Sequence, residues 1–406
     1  MSGLEEPAPA RQGQPVLPTE DPRLRIRVRV LALVASVAVV IAVVFFGGWH
    51  GAHRPATATS SAAPSRVAAA PTPPPGNNIY AAAGANMLAP AVAAMPDRVY
   101  VPQSAGRGIY VIDPATLKVI DRYPTGLDPQ HVVPAWDLKT LYVTNDLANN
   151  LTPVDPFTSK PAGPNIAVAD PYNLYFTPDG TTAIVVAEAQ SRLDFRDPHS
   201  FVLLKTLPVG CPGVDHIDFS ADGSYLVATC EFSAQLVKVD LRSRAVVGYL
   251  KLAGSSPQDI KLDPAGRIFY VADRNRGGVH QIDAATFREI GFLPTGKDTH
   301  GLYPSRDARF LYVTNRGSGS VTVIDFATGR PVAVWHIPGG RSPDMGGVSA
   351  DGAVLWLSGR YDGAVYAIST QDGHLIARVP VPGEPHGLCV WPQPGRFSLG
   401  HTGVMR

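Results

Sequence analysis

Apolar and polar positions from residue 95 onwards fall into short runs that return at a fixed interval. The clearest copies are Leu141-Tyr142-Val143-Thr144-Asn145 and Leu311-Tyr312-Val313-Thr314-Asn315, with degenerate copies VYV at 99–101, IVV at 184–186, YLV at 225–227, FYV at 269–271 and LWL at 355–357. A second apolar run follows each copy and closes on Asp113, Asp155, Asp197, Asp240, Asp283, Asp325 and, in the last, Ser369. The steps are therefore 42, 42, 43, 43, 42 and 44 residues. Short apolar runs bounded by Gly, Pro and Asp read as strands, and a period in the forties reads as a propeller or solenoid.

Each copy parses into four strands. A first run (Leu174 to Thr177, Ile217 to Ser220) meets a tight turn at Asp179-Gly180, Asp222-Gly223 or Asp351-Gly352, chemistry suited to a hairpin. The YVTN-like run is the second strand. A loop such as Arg316 to Ser320 leads to the third, Val321 to Asp325, and segments such as Val246 to Leu252 and Val332 to Ile337 form the fourth. Seven such units predict an all-β, seven-bladed β-propeller over residues 95–406. The chain enters it at a second strand, Val99, and leaves it on a first strand, Leu388 to Trp391. The closing blade is thus expected to take three strands from the N-terminal end and one from the C-terminal end.

The LYVTN runs, with Ile112-Asp113-Pro114-Ala115-Thr116, resemble the YVTN-repeat (YncE-like) β-propeller family. That superfamily also holds the d1-haem propeller of nitrite reductases and the propeller of nitrous-oxide reductase. The resemblance implies the fold. It leaves the activity open, because fold does not fix function.

Ahead of the repeats, Val30 to Trp49 is twenty residues without a charge, preceded by Arg23, Arg25, Arg27 and Arg29. The length suits a transmembrane helix, and the arginines keep residues 1–29 in the cytoplasm. Small residues after the run also fit a cleaved signal peptide, but the n-region is long and the apolar run exceeds a usual signal core. The expected layout is a cytoplasmic tail (1–29), a membrane helix (30–49), a disordered Pro/Ala/Ser/Thr-rich linker (50–94) and an extracytoplasmic propeller. Arg outnumbers Lys 27 to 8, a bias typical of high-GC bacteria, so the membrane is expected to be a bacterial plasma membrane. Lys and Arg total 35 against 34 Asp and Glu, which leaves no basic excess for nucleic acid. A monomeric propeller is expected.

Alignment of the copies sorts scattered residues into columns. Counting six residues back from the turn aspartate or its equivalent gives His131, Asn173, His216, Asp259, His300, Met345 and His386, expected to ring the channel mouth. Imidazoles with a carboxylate make His131, His216, His300, His386 and Asp259 candidate ligands for a transition metal or a haem. A water-filled structural ring is the competing reading. No c-type haem CxxCH occurs in the chain.

Nine residues before each closing position stand Ser104, Asp146, Glu188, Glu231, Arg274, Arg316 and Arg360. This column predicts a rim divided between acid and guanidinium. Arg274, Arg316 and Arg360 suit an anionic small molecule or peptide, and Asp146, Glu188 and Glu231 suit a cation or amine. The alternative is inter-blade ion pairing, foremost Glu231 with Arg274.

Cys211 precedes His216 and Cys230 ends the second strand of the same blade, so an oxidising compartment predicts a disulfide between them. Cys389 reads as a small buried apolar residue. GxSxG, HExxH, Walker A and GxGxxG are absent. Three functions remain: a ligand-binding or protein-interaction scaffold acting through the channel mouth, a metal- or haem-dependent redox protein, and a lactonase-type hydrolase pairing Arg316 with His300 or Glu231.

Overall fold

The computed structural model describes residues 78–339 and 342–406. Seven antiparallel sheets are formed, and six of them have four strands. The chain runs outward through each sheet, as in Val214–Phe219, Tyr225–Cys230, Gln235–Asp240 and Ala245–Lys251. Inner strands are buried along their whole length, whereas outer strands such as Lys118–Pro124 alternate between exposed and half-buried positions. A strand covered on both faces needs a continuous apolar run, and one half in water needs alternation.

The closing blade joins Arg98–Pro102, Gly108–Asp113 and Lys118–Pro124 to Cys389–Trp391, with Val99 opposite Val390. This is the three-plus-one closure expected from the order of the repeats. One blade departs from four strands: beyond Asn150–Asp155 the outer strand is split into Lys160–Pro161 and Ile166–Ala167. Pro161 and Pro164 offer no N–H to a continuous ladder there.

The recurrent side chains have backbone duties. Asp113, Asp155, Asp240, Asp283 and Asp325 each accept an N–H two or three residues on, fixing the turn into the fourth strand. The threonine of YVTN acts at the channel. Inner strands are bulged, with register shifts at Pro129/His131, Val214/Ile217, Thr299/Leu302 and Pro343/Gly346. A bulge leaves an N–H out of the ladder. Hydroxyls of Thr144, Thr229, Thr314 and Ser358 accept that N–H from His131, His216, Gly301 and Met345 at 2.7–3.1 Å.

Two segments outside the repeat complete the domain. Residues 78–94, placed in the linker by composition, pack on it instead: Ile79 N–H donates to Pro264 O, the Tyr80 hydroxyl donates to Leu262 O, and Val92 is fully buried. Tyr80, Leu88 and Val92 supply the apolar anchors that the Pro/Ala stretch upstream lacks. Residues 396–406 form a hairpin, with Leu399 N–H donating to Val404 O and Arg406 N–H to Phe397 O. Phe176 N–H donates to Leu399 O and His401 N–H to Leu174 O. The hairpin therefore climbs the inner strand Asn173–Phe176 from the end away from the mouth.

No helix among the described residues is long and apolar enough to cross a membrane. Val30 to Trp49, the cytoplasmic tail and linker residues 50–77 lie outside the described residues.

Candidate functional site

The hydroxyl-to-backbone bonds just described fix the true equivalence of the blades, and they correct the histidine column. Ser305 Oγ donates to Asp307 as Ser220 does to Asp222 and Ser349 to Asp351, so Asp307 is the turn aspartate of its blade. Six residues back is then Gly301, and His300 lies one earlier; likewise Gly387 pairs where His386 was placed. The column is really two adjacent ones. His131, Asn173, His216, Asp259 and Met345 share one level with Gly301 and Gly387. Gln130, Tyr172, Asp215, Gln258, His300, Asp344 and His386 form the other. Glycine at 387 has a steric reason, since a Cβ there would lie 2.2 Å from Cδ2 of His131.

Five imidazoles meet in the channel. His131, His216, His300 and His386 come from inner-strand positions, and the fifth, His401, rides on the hairpin tip and has no place in the repeat. Ring centroids lie 5.8 Å apart for His131–His216, 5.3 Å for His131–His401 and 4.9 Å for His216–His401. His386 stands 5.0 Å from His131, and His300 stands 6.0 Å from His216. All five are at most 3% exposed. Rings in contact leave no slot for a tetrapyrrole between them, so the haem reading does not fit this ring.

The three rings His131, His216 and His401 have nitrogens within 4.8 Å of one another. The Nδ1 side of each is held by the surrounding protein. His131 Nδ1 donates to Tyr172 O at 2.9 Å, and His216 Nδ1 lies 3.1 Å from Asp215 Oδ1. His401 Nδ1 lies 3.0 Å from Asn173 Nδ2, which donates to it, while Asn173 Oδ1 accepts from Leu174 N–H. The Nε2 atoms of all three are buried without a hydrogen-bond partner. An imidazole anchored through Nδ1 with Nε2 directed into a shared volume is how proteins orient metal-binding histidines.

Electrostatics favour neutral rings at two of the three. Burial, and then His216, pushes His131 down to about 3. Burial, with Lys261 and His216, holds His401 well below the usual imidazole range. For His216 burial acts in the same direction, but Asp215 overcomes it and leaves that ring raised.

Asp259 stands at the edge of this set, its Oδ1 3.9 Å from His401 Nε2, but it is occupied otherwise. Its Oδ1 accepts from Lys261 Nζ at 2.7 Å and from Ile260 N–H at 2.8 Å, and its Oδ2 accepts from Leu302 N–H of the next blade. The carboxylate ties neighbouring inner strands together. Met345 is buried at the same register level two blades on, its N–H held by Ser358.

The acid and arginine column is also not an open rim. Asp146, Glu188, Glu231, Arg316 and Arg360 are all buried, with Ser104 and Arg274 partly so. Arg274 meets Glu231 at 2.8 Å. Arg316 grips both oxygens of Asp298 at 3.1 Å. Arg360 lies 3.7 Å from Asp344 and from Glu384 and 3.4 Å from Ser104 Oγ. The guanidinium charge is thus answered inside the protein, which removes the free anion arc. The same pairs occupy Arg316 and Glu231, two groups of the hydrolase set. Across the channel, oxygens of Glu188, Asp215 and Glu231 come within 4.8 Å of one another.

Cys211 and Cys230 are joined by a disulfide, which ties the approach to His216 to the end of the second strand. Cys389 is a buried free thiol, pushed up to about 12 by burial. Sequence reasoning missed Asp215, Asp344 and His401. A count of seven from the true turn positions would have found the first two; nothing in the repeat points to His401. A separate cavity of about 1060 Å³, lined by Asp179, Asp222, Arg244 and Phe397 among others, lies on the opposite face and includes none of the candidate residues.

No curated protein matches the sequence. Among solved structures, the chain is similar to the periplasmic gluconolactonase PpgL of Pseudomonas aeruginosa, at 19% identity over 73% of this chain and 99% of that one, TM-score 0.62. It is similar to Kuenenia stuttgartiensis hydrazine synthase at 20% identity over 67% and 92% respectively, TM-score 0.60. Dihydro-heme d1 dehydrogenase NirN in complex with DHE matches at 16% identity over 73% and 77%, TM-score 0.56. At such identities these likenesses show the fold alone. The family model of YncE-like β-propellers matches residues 67–394, and with seven blades closed in the manner described the chain belongs to the YncE-like β-propeller family.

Proposed function

We propose that the protein is a membrane-anchored, extracytoplasmic metal-binding propeller that holds a transition-metal ion in its channel through His131, His216 and His401. One observation carries the reading: three buried imidazoles, each held on its Nδ1 side, bring ring nitrogens within 4.8 Å of one another, and their Nε2 atoms make no hydrogen bond. Burying such nitrogens without a hydrogen bond costs free energy, and a metal ion is a partner that convergent imidazole nitrogens suit once His401 takes the tautomer protonated on Nδ1. An all-imidazole set favours copper or zinc over magnesium or calcium. A bound ion would supply Lewis acidity or, for copper, one-electron chemistry. The protein's part is to fix the three rings through Tyr172, Asp215 and Asn173 and to keep water out. The extracytoplasmic assignment is supported by Arg23 to Arg29 ahead of Val30 to Trp49 and by the Cys211–Cys230 disulfide.

The test is the metal content of the purified full-length chain beside a His131→Ala/His216→Ala/His401→Ala variant of unchanged circular dichroism. One equivalent of copper or zinc in the wild type that is lost in the variant supports the reading. A wild type that stays metal-free after incubation with either ion refutes it.

A further inference from the structure

We infer that His300, Asp344 and His386 form a second metal site beside the first, so that the channel holds a two-metal centre. This extends the proposed metal site but stands on different residues.

The carboxylate of Asp344 is the starting observation. It is fully buried, and no backbone N–H donates to either of its oxygens among the described residues. Ionised carboxylates buried in proteins ordinarily accept several hydrogen bonds. Asp344 has one neighbour at hydrogen-bond distance, His300 Nδ1 at 2.9 Å, and three looser ones, Arg316 Nη1 at 3.5 Å and Arg360 Nη1 and His386 Nε2 each at 3.7 Å. Ligand atoms of His300, Asp344 and His386 all lie within 4.8 Å of one another.

Arg316 and Arg360 flank this carboxylate, yet each is answered by a second acid. Arg316 is matched by its two-point contact with Asp298, and Arg360 is within reach of Glu384. Those two pairs sum to zero. Asp344 is left as one net negative charge between two imidazoles, and a divalent cation compensates it better than a third neutral group could. Two histidines and one carboxylate are a donor set that suits iron(II), manganese(II) or zinc, with positions left for exogenous ligands.

Position favours the same conclusion. His300, Asp344 and His386 stand one residue earlier in the inner-strand register than His131 and His216, whereas the first site is closed from below by the hairpin. The second set therefore lies toward the mouth. Its rings touch those of the first, His386 against His131 and His300 against His216. An ion in each set would share one water-poor volume, the arrangement by which two metals act on a single small ligand.

Cobalt(II) titration of the metal-stripped full-length chain, followed by absorption and by equilibrium dialysis, tests this. The expected result is two equivalents in the wild type, one in Asp344→Asn, one in His131→Ala/His401→Ala, and none when the substitutions are combined. Asp344→Asn keeps the side-chain volume, and His386→Gln serves as a second probe should that variant be unstable. Two equivalents persisting in both Asp344→Asn and His386→Gln would overturn the second site. So would a single wild-type equivalent that is lost only with His131 and His401, which leaves the first site standing. A single equivalent lost only with Asp344 would overturn the first site and keep the second, and no cobalt bound at all would overturn both.

Discussion

The outer edge of each blade and the wall of the channel are built from the same repeat, yet they use it in opposite ways. At the outer turn the copies agree: Asp113, Asp155, Asp240, Asp283 and Asp325 each accept a nearby backbone N–H. At the channel the backbone device also repeats, since Thr144, Thr229, Thr314 and Ser358 satisfy a bulged N–H. The side chains that the bulge presents do not repeat: aspartate and histidine in one blade, histidine and glycine in another, aspartate and methionine in a third. Agreement marks residues that serve the backbone. Disagreement marks residues that serve the space inside.

The largest effect expected from breaking that contrast is at the metal set. Removing His131, His216 and His401 together abolishes stoichiometric metal at the first site while the fold persists, because none of the three rings closes a ladder. Reduction of Cys211–Cys230 comes next. The bond spans a sequence separation of 19, and releasing a loop of that size destabilises by about 3 kcal/mol. Chemical denaturation with and without reductant measures it; equal midpoints would show that the bulge bonds alone hold this blade.

Thr229→Val is sharper, because it keeps the shape and deletes the hydroxyl that accepts from His216 N–H at 3.0 Å. Leaving that buried donor unsatisfied costs about 1–3 kcal/mol. Metal affinity should fall with stability, since the bulge aims the His216 ring. Loss of stability with unchanged affinity would separate the bulge from the site.

A smaller effect concerns pH. Burial raises the Asp273 carboxyl, but hydrogen bonds from His280 and from Ser256 N–H outweigh it and hold Asp273 at about 2. A depressed carboxyl pKa stabilises the fold above the usual value of 3.8, and the gain disappears as pH falls toward about 2. Asp273→Asn should therefore lower Tm at pH 7, with the gap to wild type closing across that window. A gap that is constant with pH would mean that the charge contributes nothing.

The fold was legible because its signals are local and repeated: seven apolar pairs, turn aspartates and the swapped order of first and second strands. The two-column layout of the channel was only half legible. Asp307 stands one residue after the position counted as equivalent, and its turn is masked because Ala308 follows it where Gly223 and Gly352 follow Asp222 and Asp351. That shift moved His300 into a level where the chain places Gly301. Side-chain pairing was legible only where partners sit in adjacent blades, as for Glu231 and Arg274. Arg316 turns instead to Asp298 of its own blade, and Asp259 turns to Lys261, two residues away. His401 could not be read at all, since its position depends on a hairpin that folds back through the channel after the repeats have ended.

X-ray absorption at the metal edge of the loaded full-length protein addresses the central claim most directly. With copper or zinc at one equivalent the account predicts a first shell of nitrogen with the outer-shell scattering of at least three imidazoles, lost when His401 is replaced by alanine. A shell dominated by oxygen or sulfur, or an imidazole signal unaffected by His401→Ala, would contradict it.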